Sequence, residues 1–593
     1  MKHQNKNPLK NACRLLTYVW KSAPEIFFSK IVIMLLTVVL DVYLNISLIR
    51  IVVDAITKGM SFGYIVTYIC VLSGILLVEL LLESVQNEYI NPRAKRKIYR
   101  DIHMVIFSKV RTVDLKHYDD AEFYNDYIWA LERADTEIIN SFENVMKLVG
   151  ALLSAAAMIT IICSTDAWIL GFVLMPILLN LLIGIYQNQI NYQYEKEVNP
   201  YSRRKNYTKR VFYLKQYAKE LKLFPVAQIL LDNLKDSANQ EIDVLKKYRY
   251  KKIFAAFFMS FSGGIVQMVL LLLYLSYKAV VQGAYTPGVC ASMIPAVNML
   301  SASLGAVFSV FPKIQKNGIY AQKIFQMIDY QSEIEGIEKN TFVPDFESLE
   351  LRNVSFGYRE DEPDIISNLS MRIRKGEKIA IVGLNGAGKT TLVNLMLHFY
   401  KLDEGKILYN GVDIEEYDVK AYRQRFGIIF QDFQVYALKL LENITMQDVR
   451  EVDRNQILSL LEKVGLDVTK KQLDMTVTKE FDNHGLEFSG GERQKIAILR
   501  GLFRQGDVMI MDEASSALDP ISERRINDLL FEQSAGQTMI VIAHRLATIR
   551  DVDVIYYLEN GTIAEQGSHD ELMQLNGKYA QLYRAQAEKY DLQ

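Results

Sequence analysis

Six stretches within the first 320 or so residues are apolar for about as long as a helix needs to cross a bilayer, roughly 20 residues. They run over 26–49, 62–82, 145–163, 167–185, 253–277 and 289–311. Lipid offers backbone groups no hydrogen-bond partner, so such runs fold as helices and the membrane part is an α-helical bundle. The links between them alternate in length. Those near 57–61, 164–166 and 282–287 are short, whereas 82–142 and 186–252 are long.

The long links hold the bases: Arg93, Lys95, Arg96, Lys97 and Arg100 in one, and Arg203, Arg204, Lys205, Lys209 and Arg210 in the other. The positive-inside rule places them in the cytoplasm, and an even number of spans leaves the amino terminus and the second half of the chain there too. Apolar residues recur at helical intervals in the long links (Ile98, Ile102, Val105, Ile106), so membrane helices are expected to continue past the bilayer and turn back near 115–129 and 221–231. Segment 145–163 carries Gly150, Ala151, Ser154, Ala155, Ala156 and Ala157, small residues that allow close helix packing. The amino terminus is polar and basic, without the pattern of a removable signal peptide. Residues 8–30 mix bases with Leu15, Leu16, Tyr18, Val19 and Trp20, as an interfacial helix does.

A formal charge of −1 gives the chain no bulk attraction for nucleic acid. Its four cysteines, Cys13, Cys70, Cys163 and Cys290, show neither metal-ligand nor disulfide spacing and are expected to be small buried hydrophobes. The expected division is a membrane domain with cytoplasmic helical extensions over 1–325, a linker over 326–347 containing Glu333, Glu335 and Pro344, and an α/β domain over 348–593.

That last domain carries the chemistry. Gly383-Leu384-Asn385-Gly386-Ala387-Gly388-Lys389-Thr390 is a complete Walker A loop, preceded by the apolar strand 379–382 and followed by a helix from Thr391. The glycines let backbone approach phosphate, Lys389 neutralises the β/γ charge, and Thr390 offers an oxygen to Mg²⁺. The strand 508–511 delivers Asp512 to a strand end, where it would hold Mg²⁺, and the adjacent Glu513 is the natural general base for water. His544 ends another apolar strand, 539–543, and would bond the γ-phosphate; Gln431, after 427–430, would reach the metal and the water. Ser489-Gly490-Gly491-Glu492 opens a second helix ready for an anion but without a lysine of its own. With one P-loop per chain, that surface is expected to serve the triphosphate of a second copy, giving a two-fold dimer with two composite sites.

These residues resemble the ATP-binding cassette (ABC) transporters, specifically the six-span exporter type with membrane and nucleotide domains fused. The resemblance covers essentially the whole chain. It implies that Tyr358 stacks on adenine, that Gln431 is the Q-loop glutamine, Ser489 to Glu492 the signature, Asp519 the D-loop aspartate and His544 the switch histidine. It also implies that 118–124 and 219–224 are the two coupling regions. The chain departs from the family pattern at Phe488 and Glu492, where Leu and Gln are usual, and at Asn483, where a glutamate is usual. The implied function is ATP-driven export by alternating access with ATP and Mg²⁺, in a homodimer or a heterodimer. Amphipathic peptides or drugs are the first expectation for cargo, with a lipid flippase or a nucleotide-gated channel as alternatives. Asp41, Asn45, Glu79 and Glu83 within spans are candidates for contacting a cationic cargo, or for helix-to-helix pairing like Arg50 and Asp54.

Overall fold

The computed structural model describes residues 8–591 apart from 59–61, 338, 340, 360–361, 448–451, 505, 513–517, 534–535 and 544–545. The chain divides into two compact units. One holds residues up to Phe107 together with Asp126–Asp329; the other holds Ser108–Asn125 together with Tyr330 onward.

Among the described residues, six helices are long and apolar enough to cross a membrane: α2 (Pro24–Lys58), α3 (Phe62–Val110), α4 (Ala121–Thr165), α5 (Ile169–Tyr213), α6 (Val226–Val281) and α7 (Pro287–Ile328), after a short α1 (Pro8–Ser22). At 1.5 Å per residue the 56 residues of α6 extend about 84 Å, nearly three times the hydrocarbon thickness, as the apolar periodicity of the long links requires. Thr286 and Pro287 start α7 as a cap and a first-turn proline; the Thr286 hydroxyl accepts from the Val289 N–H at 3.2 Å.

The bundle core joins Met158 and Ile162 of α4, Ile169 and Val173 of α5, Leu271 and Leu275 of α6, and Met293, Ala296 and Leu300 of α7. The small-residue stripe works as expected: Ala151 and Ala155 are buried, and Ser154 receives a 3.0 Å hydrogen bond from Ser303. Large apolar side chains such as Phe28, Leu77, Leu182 and Leu273 face outward, the arrangement of a protein whose solvent is lipid. That corrects the expectation for the cysteines. Cys13, Cys70 and Cys163 are exposed, because an outward face of such a bundle need not be polar.

Helix α1 buries Ala12, Leu15 and Val19 on one face. Ala12 packs with Val310 and Ile314 of α7. Its Arg14 grips Asp329 through two hydrogen bonds of 2.5 and 2.7 Å and lies 4.0 Å from the Phe325 ring centroid.

In the other unit, β1 (Ser348–Phe356), β2 (Ile366–Arg374), β4 (Glu404–Tyr409) and β5 (Val412–Asp413) form an antiparallel sheet in the order β2-β1-β4-β5. A six-stranded sheet in the order β10-β9-β3-β8-β7-β6 is built from β3 (Lys378–Gly383), β6 (Phe426–Ile429), β7 (Val508–Asp512), β8 (Thr538–Ile542), β9 (Val554–Glu559) and β10 (Thr562–Gly567). All of its pairs are parallel except β9–β10. Ile379 and Ile381 enter one hydrophobic cluster while Ala380 and Val382 enter another, so β3 is buried on both faces, which is why it reads as an unbroken apolar run.

Candidate functional site

Parallel pairing brings the site together. In register, Ile381 of β3 faces Ile542 of β8, Ile542 faces Asp512 of β7, and Met511 faces Ile429 of β6. The carboxyl ends of these four strands therefore lie along one sheet edge, where open α/β sheets place ligands. The Walker loop leaves β3 there, Asp512 ends β7 buried at 1 % exposure, and Gln431 follows β6. Glu513 and His544, the expected base and γ-phosphate ligand, lie outside the described residues, as do Ser516 and Ala517; the strands β7 and β8 that lead to Glu513 and His544 end side by side.

The loop itself is shaped by crowding. A side chain at Gly383 would put its Cβ 2.3 Å from the Leu558 carbonyl oxygen of β9. Gly388 adopts φ +99°, and a Cβ there would lie 2.7 Å from Ile366 Cδ1. From Gly388 the chain enters α8 (Lys389–Met396), whose first N–H groups and dipole face an incoming anion. Leu384, Asn385 and Gly386 are exposed, Ala387 and Gly388 are buried beneath them, and Thr390 is exposed at the helix head. Lys389 is buried and folds back, its Nζ donating to the carbonyls of Gly383 and Leu384 at 3.0 and 3.1 Å, so its charge sits over the loop.

Tyr358, 37 % exposed, stands in an aromatic corner, edge-on to Phe356 and Tyr400 at 5.1 and 5.2 Å between centroids, with its hydroxyl 3.2 Å from Thr391 Oγ1. Tyr400 donates its own hydroxyl to Asp119 at 2.9 Å, and burial together with that carboxylate pushes its phenol far up. Asp119 belongs to the turn between α3 and α4, so this turn and the aromatic corner are parts of one compact unit.

The second anion-ready head is that of α9 (Gly490–Arg504). Ser489 donates both its backbone N–H and its hydroxyl to the Glu492 carboxylate at 2.8 Å, and these bonds hold the Glu492 carboxyl below its usual range. Gly490 has open space around it and Gly491 follows on the first turn. Asp519 accepts from the N–H groups of Ile521 and Ser522 at 3.1 and 3.0 Å, capping helix Pro520–Gln533.

Sequence reasoning missed a buried anchor in the same unit. Asp114, 0 % exposed, accepts hydrogen bonds from the hydroxyls of Tyr330 (2.6 Å) and Ser332 and from the N–H groups of Glu333, Ile334 and Glu335 at 2.8, 3.1 and 3.0 Å. Burial alone would raise its pKa, but the Ser332 and Tyr330 hydroxyls and the backbone donors outweigh it and hold the carboxyl below the usual range. Glu335 in turn pairs with Arg423 at 2.5 Å, and Arg423 donates to the Leu397 and His398 carbonyls at 2.8 and 2.6 Å, just past the end of α8. Burial and the nearby Arg423 push His398 down to about 4, so its ring stays neutral. The only sequence signal for Asp114 was an acid, one of three, in a turn between two long helices.

Asp512, Gln431 and Thr390 follow or end elements that share this sheet edge, and their oxygens are a hard donor set of the kind that suits Mg²⁺ rather than a softer metal. Among the described residues no three His, Cys, Asp or Glu side chains converge as a cation cage.

A P-loop domain with a second, lysine-free helix head, fused to six membrane-capable helices, resembles the arrangement of an ABC transporter of the six-span exporter type. Comparison with known proteins agrees. Residues 366–516 match the family model described as ABC transporter. The chain is 34% identical over 347 residues to an ATP-dependent lipid A-core flippase of Methylobacillus flagellatus, covering 58% of this chain and 59% of that protein. A flippase of the same name from Vibrio vulnificus is 33% identical over 331 residues, 56% of its length, so these alignments span somewhat more than half of the relatives they match. The subtilin transport ATP-binding protein SpaT of Bacillus subtilis is 26% identical over 499 residues, 82% of this chain and 80% of that protein. A solved bacterial Atm1-family ABC exporter with ATP bound superposes with a TM-score of 0.79 at 23% identity, over 95% of this chain and 98% of that one, a likeness of fold.

Proposed function

We propose that the chain is half of an ATP-driven membrane exporter, working as a dimer by alternating access on amphipathic cargo. The observation that carries this is the presence, in one chain, of six bilayer-length helices, a complete Walker loop, and a second, lysine-free helix head after Ser489. In this reading Tyr358 supports the adenine ring, and the Walker backbone with Lys389 holds the phosphates. Ser489, Gly490 and Gly491 close on the triphosphate of the opposite copy, with Asp519 lining the seam. Thr390, Gln431 and Asp512 would hold Mg²⁺, which when bound supplies charge neutralisation of the β/γ oxygens. Glu513 takes the proton of the attacking water, and His544 bonds the γ-phosphate. Closure of the two cassettes favours one membrane conformation, and hydrolysis releases it, so that each nucleotide state selects a different access side. The nucleotide domains and the amino terminus are cytoplasmic in this scheme, where the basic long links put them.

The likeness to the subtilin transport protein SpaT supports a subtilin-like peptide cargo, and the likeness to the lipid A-core flippases supports a lipid. The test is hydrolysis by the full chain reconstituted in bilayers. Glu513→Gln is expected to retain ATP binding and lose steady-state turnover by about 100-fold or more; normal turnover in that variant refutes the role.

A further inference from the structure

A cavity of about 940 Å³ opens in the membrane unit, walled by α5, α6 and α7. Its walls are largely apolar. The polar groups that reach it are Asn180, Gln187, Asn188, Gln267 and serines of α7, all uncharged. At its inner end Gln267 and Ser301 exchange two hydrogen bonds of 2.8 and 3.0 Å, and Ser262 donates to Asn180 at 2.6 Å across a π-helical turn over Phe261–Val266. Such widened turns are frequent at functional sites.

One charged side chain lines the cavity, Lys313 of α7, and no acidic residue does. Lys313 follows directly on the last apolar run of the membrane half, so it lies where the hydrocarbon gives way to the interface. Twelve helical residues separate it from Ser301, about 18 Å along the axis. Among the described residues Lys313 makes no ion pair, and its ammonium is exposed. The acids expected to attract a cationic cargo are placed elsewhere. Glu79 accepts from Thr37 at 2.5 Å, Asp41 receives a 3.4 Å bond from Asn45, and neither they nor Glu83 line the cavity.

We infer that this cavity selects an amphiphile with one anionic group, a carboxylate or phosphate paired with Lys313, and an uncharged apolar body reaching toward Gln267 and Ser301. The inference rests on the exporter reading and narrows its cargo: a lone cation beside an otherwise uncharged, largely apolar wall disfavours a cationic ligand, which would meet like charge and no carboxylate. A membrane lipid and a free anionic amphiphile share this chemistry.

The test measures binding, so it does not depend on turnover. The full chain is placed in phosphatidylcholine nanodiscs and titrated with a fluorescent fatty acid, its uncharged methyl ester and the amine of the same chain length. The acid is expected to bind about 10-fold tighter than the amine, the equivalent of one charge-assisted contact. Lys313→Gln should abolish that preference and Lys313→Arg should keep it. Gly305, whose Cβ would meet nothing within 4 Å, lines the same space, and Gly305→Leu should weaken all three probes alike by filling it. Doping the discs with phosphatidylglycerol separates the two sources: competition with the acid makes lipid a ligand, and its absence leaves the free amphiphile. An acid preference undiminished in Lys313→Gln, or tighter binding of the amine by the parent chain, overturns the inference. If Glu513→Gln turns over ATP normally while the acid preference persists, the engine reading fails and the ligand assignment stands.

Discussion

Replacing Asp114 by alanine removes one carboxylate that five donors share. A hydrogen bond to a charged acceptor is worth about 1.5–3 kcal/mol net, and a buried donor left unpaired costs about 1–3 kcal/mol. The five do not add. The Glu333 and Glu335 amides are at least partly exposed and can rehydrate, so the loss falls mainly on the buried Tyr330 hydroxyl and Ile334 amide and on the half-buried Ser332. The expected destabilisation of the nucleotide-domain unit is about 3–5 kcal/mol. For a unit of this size about 2–4 °C is lost per kcal/mol, so its unfolding transition should drop by about 6–20 °C in scanning calorimetry of the solubilised chain. Asp114→Asn keeps one carbonyl acceptor and should lose about half as much. The pH dependence has a definite sign. The folded carboxyl titrates below its unfolded value, so the anchor's contribution is fully present above about pH 4 and is lost as pH falls through the folded pKa. A transition in Asp114→Ala within 2 °C of the parent, measured near pH 7, would refute the assignment of Asp114 as the anchor of the linker.

The signature acid should matter to nucleotide affinity. Glu492 engages both donors of Ser489 and brings negative charge to the helix head proposed to meet phosphate, so Glu492→Gln is expected to lower the apparent KM for ATP by about 2–5-fold, read in steady-state hydrolysis. An unchanged or raised KM would mean that Ser489 does not meet phosphate. Gly388→Ala forces a side chain into a left-handed conformation 2.7 Å from Ile366 Cδ1, and should weaken binding of a fluorescent ATP analogue by at least about 10-fold while leaving the unfolding temperature of the membrane unit unchanged.

Much of the molecule was readable because its signals are local. Span lengths follow from unbroken apolar runs, and the Walker loop follows from glycines placed between a buried strand and a helix. The four strand ends that assemble the nucleotide site were legible only in part: Asp512 and Gln431 each end or follow an apolar run, but the β3-β8-β7-β6 order that brings them side by side is not local. Asp114 was invisible for the same reason, since its partners lie 216 or more residues away and none carries an opposite charge. The cavity depends on how α5, α6 and α7 cross, which periodicity does not encode. Arg50 and Asp54 suggested a pairing across helices, and Asp54 makes one, but with the Gly288 N–H at the head of α7, 3.1 Å away, where a carboxylate complements the helix dipole. The cysteines were misread because burial was inferred from apolarity, an inference that fails once the surrounding medium is itself a hydrocarbon.

Arg14 holds Asp329 from 315 residues upstream, at the last position before the chain passes into its second compact unit. Whatever handles the amino-terminal helix therefore also handles the outlet of the sixth span. A bulky tag fused there, a protease that nicks it, or a detergent that strips it from its neighbours would each act at a distance on the segment that leaves the last long helix.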